Sequence, residues 1–171
     1  QTRPENDIPE FYKFLPKIDE AKTLRNVQEI YDLVITIDVA SVDRMVLSAR
    51  KIFQNSKNTI NIDHHQTNPN YAKINLIDDK ASSCGEILFK FFENIGANIT
   101  PEMAECLYVS IMTDTGAFIY ANTYSETLEI AAKFKMVGEV EKHHEERYLK
   151  LLENVETNKV FTKGTGIHVW K

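Results

Sequence analysis

Cysteine, proline and glycine are all scarce in this chain, at 2, 5 and 6 of 171 residues. The two cysteines, Cys84 and Cys106, cannot build a disulfide framework and lack the paired spacing of a thiolate metal site, so a reducing cytoplasm is the expected setting. Low glycine and proline beside 43% hydrophobic and 26% charged residues exclude collagen-like, low-complexity and disordered classes. Long apolar runs are missing too. None approaches the ~18 residues of a membrane span, and no membrane partner is expected. Positive charge is also short, with 20 Lys and Arg against 25 Asp and Glu, a net charge of −5. A general footprint for duplex DNA is therefore absent. Histidine is rare, yet four of the 5 stand in two doublets, His64-His65 and His143-His144.

What is present alternates strand and helix, the pattern of an α/β parallel sheet flanked by helices. Residues 1–16 read as irregular around Phe11–Leu15, a cluster suited to capping something. Leu33–Ile37 is a β-branched run ending on Asp38, and such a continuous run suits a strand covered on both faces. Ser41 suits the cap of a helix through Met45, Val46, Ala49, Ile52 and Phe53. Thr59–Asp63 is a second strand and Ala72–Ile77 a third extended piece. Ser83 and Glu86 form a capping box before a helix with Ile87, Leu88, Phe91 and Phe92 on its apolar side, stopped at Gly96. Thr100-Pro101 opens a third helix that ends near Asp114. Thr123 and Glu126 open a fourth, to about Val137. A helix over 140–153 and a strand over 166–170 complete the expected pattern. The aromatics Phe89, Phe91, Phe92, Phe118 and Tyr120 fit a core better than a base-stacking platform.

The chemistry gathers at element ends. Ligands of open α/β sheets sit outside the carboxyl ends of the strands, where Asp38 and Asp63 stand. Either acid alone also suits a cap or a turn. Two in successive strands, the second running into His64-His65, point toward a metal site, and carboxylate and imidazole donors suit Mn²⁺, Mg²⁺, Fe²⁺ or Zn²⁺. Strand alternation would send His64 and His65 to opposite sides. His143-His144 lies in a charged helical face and reads as solvated. Asp114 ends the apolar series Leu107, Tyr108, Ile111 and Met112, with Ser110, Thr113 and Thr115 as hydrogen-bond partners and Gly116 as a turn residue. No phosphate loop, dinucleotide fingerprint or nucleophile elbow is present.

Asp38 in its Val34–Arg44 setting, Asp63-His64-His65 in Asn61–Asn68, and Thr113-Asp114-Thr115-Gly116 together resemble the second, third and fourth motifs of the DHH phosphoesterases. The branch they resemble is that of bacterial nano-RNases and phosphoadenosine-phosphate phosphatases, over about residues 11–155. The resemblance implies a five-stranded parallel domain with a two-metal site, usually filled by Mn²⁺. Asp38 would bridge the two metals, His64 and Asp114 would complete one, His65 would face the scissile phosphate, and Asp63 would support the histidines. The implied reaction is hydrolysis of phosphodiester or phosphomonoester bonds in short oligonucleotides or nucleotide phosphates, with a homodimer left open.

The chain also departs from that pattern. The family's first motif, a His and an Asp-x-Asp on the first strand, has no counterpart before Asp38, since residues 1–37 contain no His. Residues 1–155 therefore read as the domain without its first strand, and 156–171 as the start of a linker or return strand toward a C-terminal domain. An Arg common after the fourth motif is replaced by Phe118-Ile119-Tyr120. These departures lead us to expect weak activity from the 171 residues alone. Two rival readings are an inorganic pyrophosphatase-like enzyme and a non-catalytic module that binds metal or nucleotide.

Overall fold

The computed structural model describes residues 8–21 and 30–137. Among these, three parallel strands lie in chain order: β1 (Leu33–Ile37), β2 (Asn58–Asp63) and β3 (Ile74–Ile77). The register aligns Ile37 with Ile62 and Ile62 with Leu76, so all three strands end at one edge of the sheet. The ladder continues a step further. Asp38 N–H donates to Ile62 O at 3.0 Å and Asp78 N–H to Asp63 O at 3.1 Å, so three aspartates stand side by side at the strand ends. The expected helix over 140–153, the strand over 166–170, His143-His144 and the linker over 156–171 all lie outside the described residues.

Four α-helices accompany them among the described residues: α1 (Leu47–Asn55) between β1 and β2, then, after β3, α2 (Cys84–Asn94), α3 (Pro101–Asp114) and α4 (Ser125–Val137). Helices α2, α3 and α4 share a core of Phe89, Ala104, Leu107, Ile111, Ile130 and Phe134. The sheet meets this layer through Ile62, Ala81 and Ile87. Burying these apolar groups contributes about 1.5–3 kcal/mol per large side chain, and it carries the end of α3 toward the strand ends.

Several caps form as the sequence predicts. Ser83 Oγ accepts from Glu86 N–H, and Thr100 Oγ1 accepts from Met103 N–H with Pro101 in the first turn. Gly96 takes φ +65°, and Gly96 N–H to Glu93 O with Ala97 N–H to Phe92 O closes α2 in a Schellman motif.

Other expectations need correction. Val42–Arg44 is a single 3₁₀ turn, Met45 is extended and buried, and α1 starts only at Leu47. The break lets the Met45 side chain reach the core instead of following the helical stripe. Leu33, Ile35 and Ile37 are 46%, 50% and 47% exposed, so one face of β1 is open rather than covered. On α2, Phe89 is the buried aromatic and Phe91 is exposed, because α3 and α4 pack on the Phe89 side. Tyr120 is also exposed, whereas Phe92 and Phe118 pack partly against the core. Of the two cysteines, Cys84 is buried and Cys106 is exposed. Thr123 does not cap α4. Its buried hydroxyl has no partner among the described residues, and Tyr124 O accepts the Leu128 N–H instead.

Candidate metal centre

Asp38 leaves β1 with φ +60°, a left-handed conformation uncommon outside glycine and most tolerated by Asn and Asp. Strain of this kind concentrates where a side chain must be aimed. Here it aims the carboxylate at the histidine pair: Oδ1 lies 3.4 Å from His64 Nε2 and 3.7 Å from His65 Nδ1. The Asp38 carboxyl is held below the usual range, first by the His64 hydrogen bond and then by both imidazole charges, against the upward push of burial.

His64 and His65 do not split to opposite sides. Strand β2 ends at Asp63, so strict alternation no longer governs them, and their ring centroids stand 4.9 Å apart near Asp38. His64 Nδ1 faces Ala81 O at 3.3 Å. A backbone carbonyl accepts only, so this contact puts a proton on Nδ1 and turns Nε2 toward Asp38 and Asp114. Burial pulls the His64 imidazolium down, but the Asp38 hydrogen bond, the Asp114 and Asp38 charges and the Ala81 carbonyl outweigh it and raise it. A metal ion at Nε2 would have to displace any proton carried there.

Asp114 is the last residue of α3, with Oδ2 3.8 Å from His64 Nε2. Burial and the Asp38 charge push its carboxyl up to about 6, opposed by His64 and His65. Of the hydroxyls expected to hold it, those of Thr113 and Thr115 serve the backbone instead. Thr113 Oγ1 donates to Val109 O and Ser110 O, and Thr115 Oγ1 to Ile111 O. Position is set through the main chain, where Asn122 Nδ2 donates to both Asp114 O (3.2 Å) and Ser82 O (3.1 Å). The N-terminal aromatic cluster also closes on this end of α3. Phe11 and Phe14 pack on Met112 and Ala117, and Tyr12 bonds Thr113 beside the Asp114 charge.

Two of the candidate ligand pairs are spaced to share a divalent ion. Ligand atoms held about 2.0–2.2 Å from a common metal lie roughly 3–4 Å from one another, and the His64–Asp38 and His64–Asp114 separations of 3.4 and 3.8 Å fall in that range. One group whose donor atoms all lie within 4.8 Å of one another is Asp38, His64 and His65, and Asp114 is not part of it. A second convergent group joins Asp38, Asp63 and Cys84. It is a poorer fit, because both Asp63 oxygens already accept hydrogen bonds, from His65 Nδ1 at 2.7 Å and Asn68 Nδ2 at 2.5 Å. Burial also pushes the Cys84 thiol up, as do the Asp38 and Asp63 charges. Its S–H donates toward Asp38 Oδ1 at 3.7 Å and Ile62 O at 3.6 Å.

Sequence reading missed Cys84 as a neighbour of Asp38, because 46 residues separate them. It also missed what Glu86 does. This carboxylate, 1% exposed, accepts from Ser82 N–H and Oγ, Thr127 Oγ1 and Lys90 Nζ. It therefore fixes the Ala81–Ser82 backbone that carries the His64 acceptor. At the place where the family resemblance called for an Arg, Ile119 is 70% exposed.

A model of the DHH family, N-terminal domain, matches residues 5–111, which include Asp38, Asp63, His64 and His65 and stop short of Asp114. A Thermus thermophilus protein described as a bifunctional oligoribonuclease and PAP phosphatase, NrnA, is 32% identical over 132 residues, 77% of this chain and 39% of that protein. The Bacillus subtilis protein of the same description is 29% identical over 144 residues, covering 78% of this chain and 44% of the relative. The chain thus spans about two fifths of the length of these relatives. Among solved structures, an exopolyphosphatase-related protein from Bacteroides fragilis superposes with a TM-score of 0.73 at 24% identity, covering 87% of this chain and 46% of its own.

Proposed function

This chain belongs to the DHH family, and from that membership we propose that it carries part of the active site of a divalent-metal-dependent phosphoesterase. The observation that supports this best is His64, whose Nδ1 is held by Ala81 O while Nε2 meets Asp38 and Asp114. Asp38, His64 and Asp114 would hold the metal, Mn²⁺ in the first instance. When bound, divalent ions supply Lewis-acid polarisation of the phosphate and activate the attacking water. The chain's own groups do the rest. Asp63 holds His65 by Nδ1, so His65 Nε2 remains the ring atom that exchanges a proton at the substrate. Asp38 and Asp114 supply the negative charge that draws cations to the strand ends.

For substrate we propose short oligoribonucleotides and nucleotide phosphates such as PAP, following the descriptions of the relatives. No helix among the described residues is long and apolar enough to cross a membrane, and the free cysteines suit the reducing cytoplasm we propose as its location. Incubation of the protein with a diribonucleotide or PAP and Mn²⁺ tests the reading. The expected result is Mn²⁺-dependent hydrolysis, however slow, that Asp38→Ala removes. Hydrolysis that survives Asp38→Ala, or none with Mn²⁺, would overturn it.

A further inference from the structure

Beside the candidate ligands lies a chain of two amides, Asn61 buried and Asn68 half-buried, with no partner in the metal chemistry. Asn61 is fully buried in the middle of β2. Its Nδ2 donates to Thr36 Oγ1 at 3.0 Å and faces the carbonyls of Thr36 and Val39 at 3.4 and 3.5 Å. Those acceptors fix the amide's orientation and turn Oδ1 toward Asn68. Asn68 Nδ2 then donates to Asn61 Oδ1 at 2.7 Å and to Asp63 Oδ2 at 2.5 Å. Its own Oδ1 accepts from Asn70 N–H at 2.9 Å. Because a backbone N–H can only donate, the Asn68 amide cannot be flipped. The last link is Asp63 Oδ1, which accepts from His65 Nδ1 at 2.7 Å.

From this geometry we propose that Asn68 is a positioning residue for His65, acting through Asp63. Asp63 is fully buried, and a buried carboxylate with one oxygen unpaired relaxes toward another donor. By occupying Oδ2, Asn68 leaves Oδ1 as the only oxygen aimed at His65. The imidazole is then held as the Nδ1–H tautomer, with Nδ1 also 3.7 Å from Asp38 Oδ1 and Nε2 left out of the Asp63 contact. His65 could not be held this way by sheet hydrogen bonds, since it lies beyond the end of β2. The inference rests on the phosphoesterase reading only for what that Nε2 is used for.

The two can be tested separately. Long-range ¹⁵N–¹H correlation spectra of the metal-free protein, taken at about pH 8 where ordinary imidazoles are neutral, report the tautomer of each histidine. The wild type is expected to show His65 as a single Nδ1–H tautomer. Asn68→Asp, of the same shape but without the amino donor, is expected to give a mixture. Asn68→Ser, which retains one hydroxyl donor, is expected to lie between them and serves if the Asp variant fails to fold. In the hydrolysis assay, both variants should lower kcat roughly 10–100-fold, the range for lost partners of a site histidine, with less change in KM. A folded Asn68 variant whose His65 keeps the wild-type tautomer would overturn the proposal, as would a wild-type His65 carrying its proton on Nε2. Absence of hydrolysis with the tautomer shift intact would instead count against the phosphoesterase reading alone.

Discussion

Glu86 shows how one side chain can serve both the fold and the site. Its carboxylate is buried among Ser82, Thr127 and Lys90, and it joins α2 to α4 while holding the loop that presents Ala81 O to His64. Burial pushes this carboxyl up, but the Lys90, Ser82 and Thr127 hydrogen bonds outweigh it and keep it below the ordinary range. A carboxyl depressed in the folded state contributes stability that is fully present above its unfolded value, about 4.3, and is lost as pH falls through the folded value. Urea unfolding should therefore show stability declining on the acid side of about pH 4.3 in the wild type. Glu86→Ala leaves buried donors without an acceptor, and it is expected to cost about 3 kcal/mol at neutral pH with a shallower acid decline. An unchanged acid slope in that variant would contradict this role.

At the scale of elements, the parallel register matters more than any single bond. It ends β1 and β2 level with one another, so that Asp38 and Asp63 arrive at the same edge. Asp78, at the end of β3, arrives there too but spends its Oδ1 on Lys80 N–H as a turn residue. The third carboxylate of the site comes from a helix, and its placement depends on how closely α3 lies to α2. Gly85 sets that distance: a Cβ there would stand 2.8 Å from Ser110 Cβ and 2.9 Å from Leu107 O. Gly85→Ala is therefore expected to cost about 1–3 kcal/mol through overpacking and to weaken metal binding by moving Asp114. Gly96→Ala makes a control. It meets no atom within 4 Å at φ +65°, so its cost of about 1–2 kcal/mol is conformational, and metal binding should be unchanged. Equal metal binding in both variants, measured by calorimetry, would contradict the proposed role of the α2–α3 contact.

For the molecule as a whole, the sequence was most legible where the governing physics is local. β-Branched runs located all three strands, Ser83, Thr100-Pro101 and Gly96 marked helix ends, and the strand-end acids located Asp38 and Asp63. The rest depends on partners far along the chain. Thr127 reaches Glu86 across 41 residues, Cys84 approaches Asp38 across 46, and Asn122 ties Ser82 to the end of α3. No pattern of spacing announces such pairs. The exposed face of Leu33, Ile35 and Ile37 misled for a related reason: an apolar alternation records what a strand can bury, not what covers it. Even His64 and His65 escaped strand alternation only because the ladder stops one residue earlier.

The central proposal is that Asp38, His64 and Asp114 hold a divalent ion. Calorimetric titration of Mn²⁺ into the wild type and His64→Ala at neutral pH tests it most directly. We predict saturable Mn²⁺ binding in the wild type, and in His64→Ala a loss larger than the roughly 10–100-fold that an outer hydrogen-bond partner costs. Equal Mn²⁺ affinity in the two proteins, or no binding by the folded wild type, would contradict it.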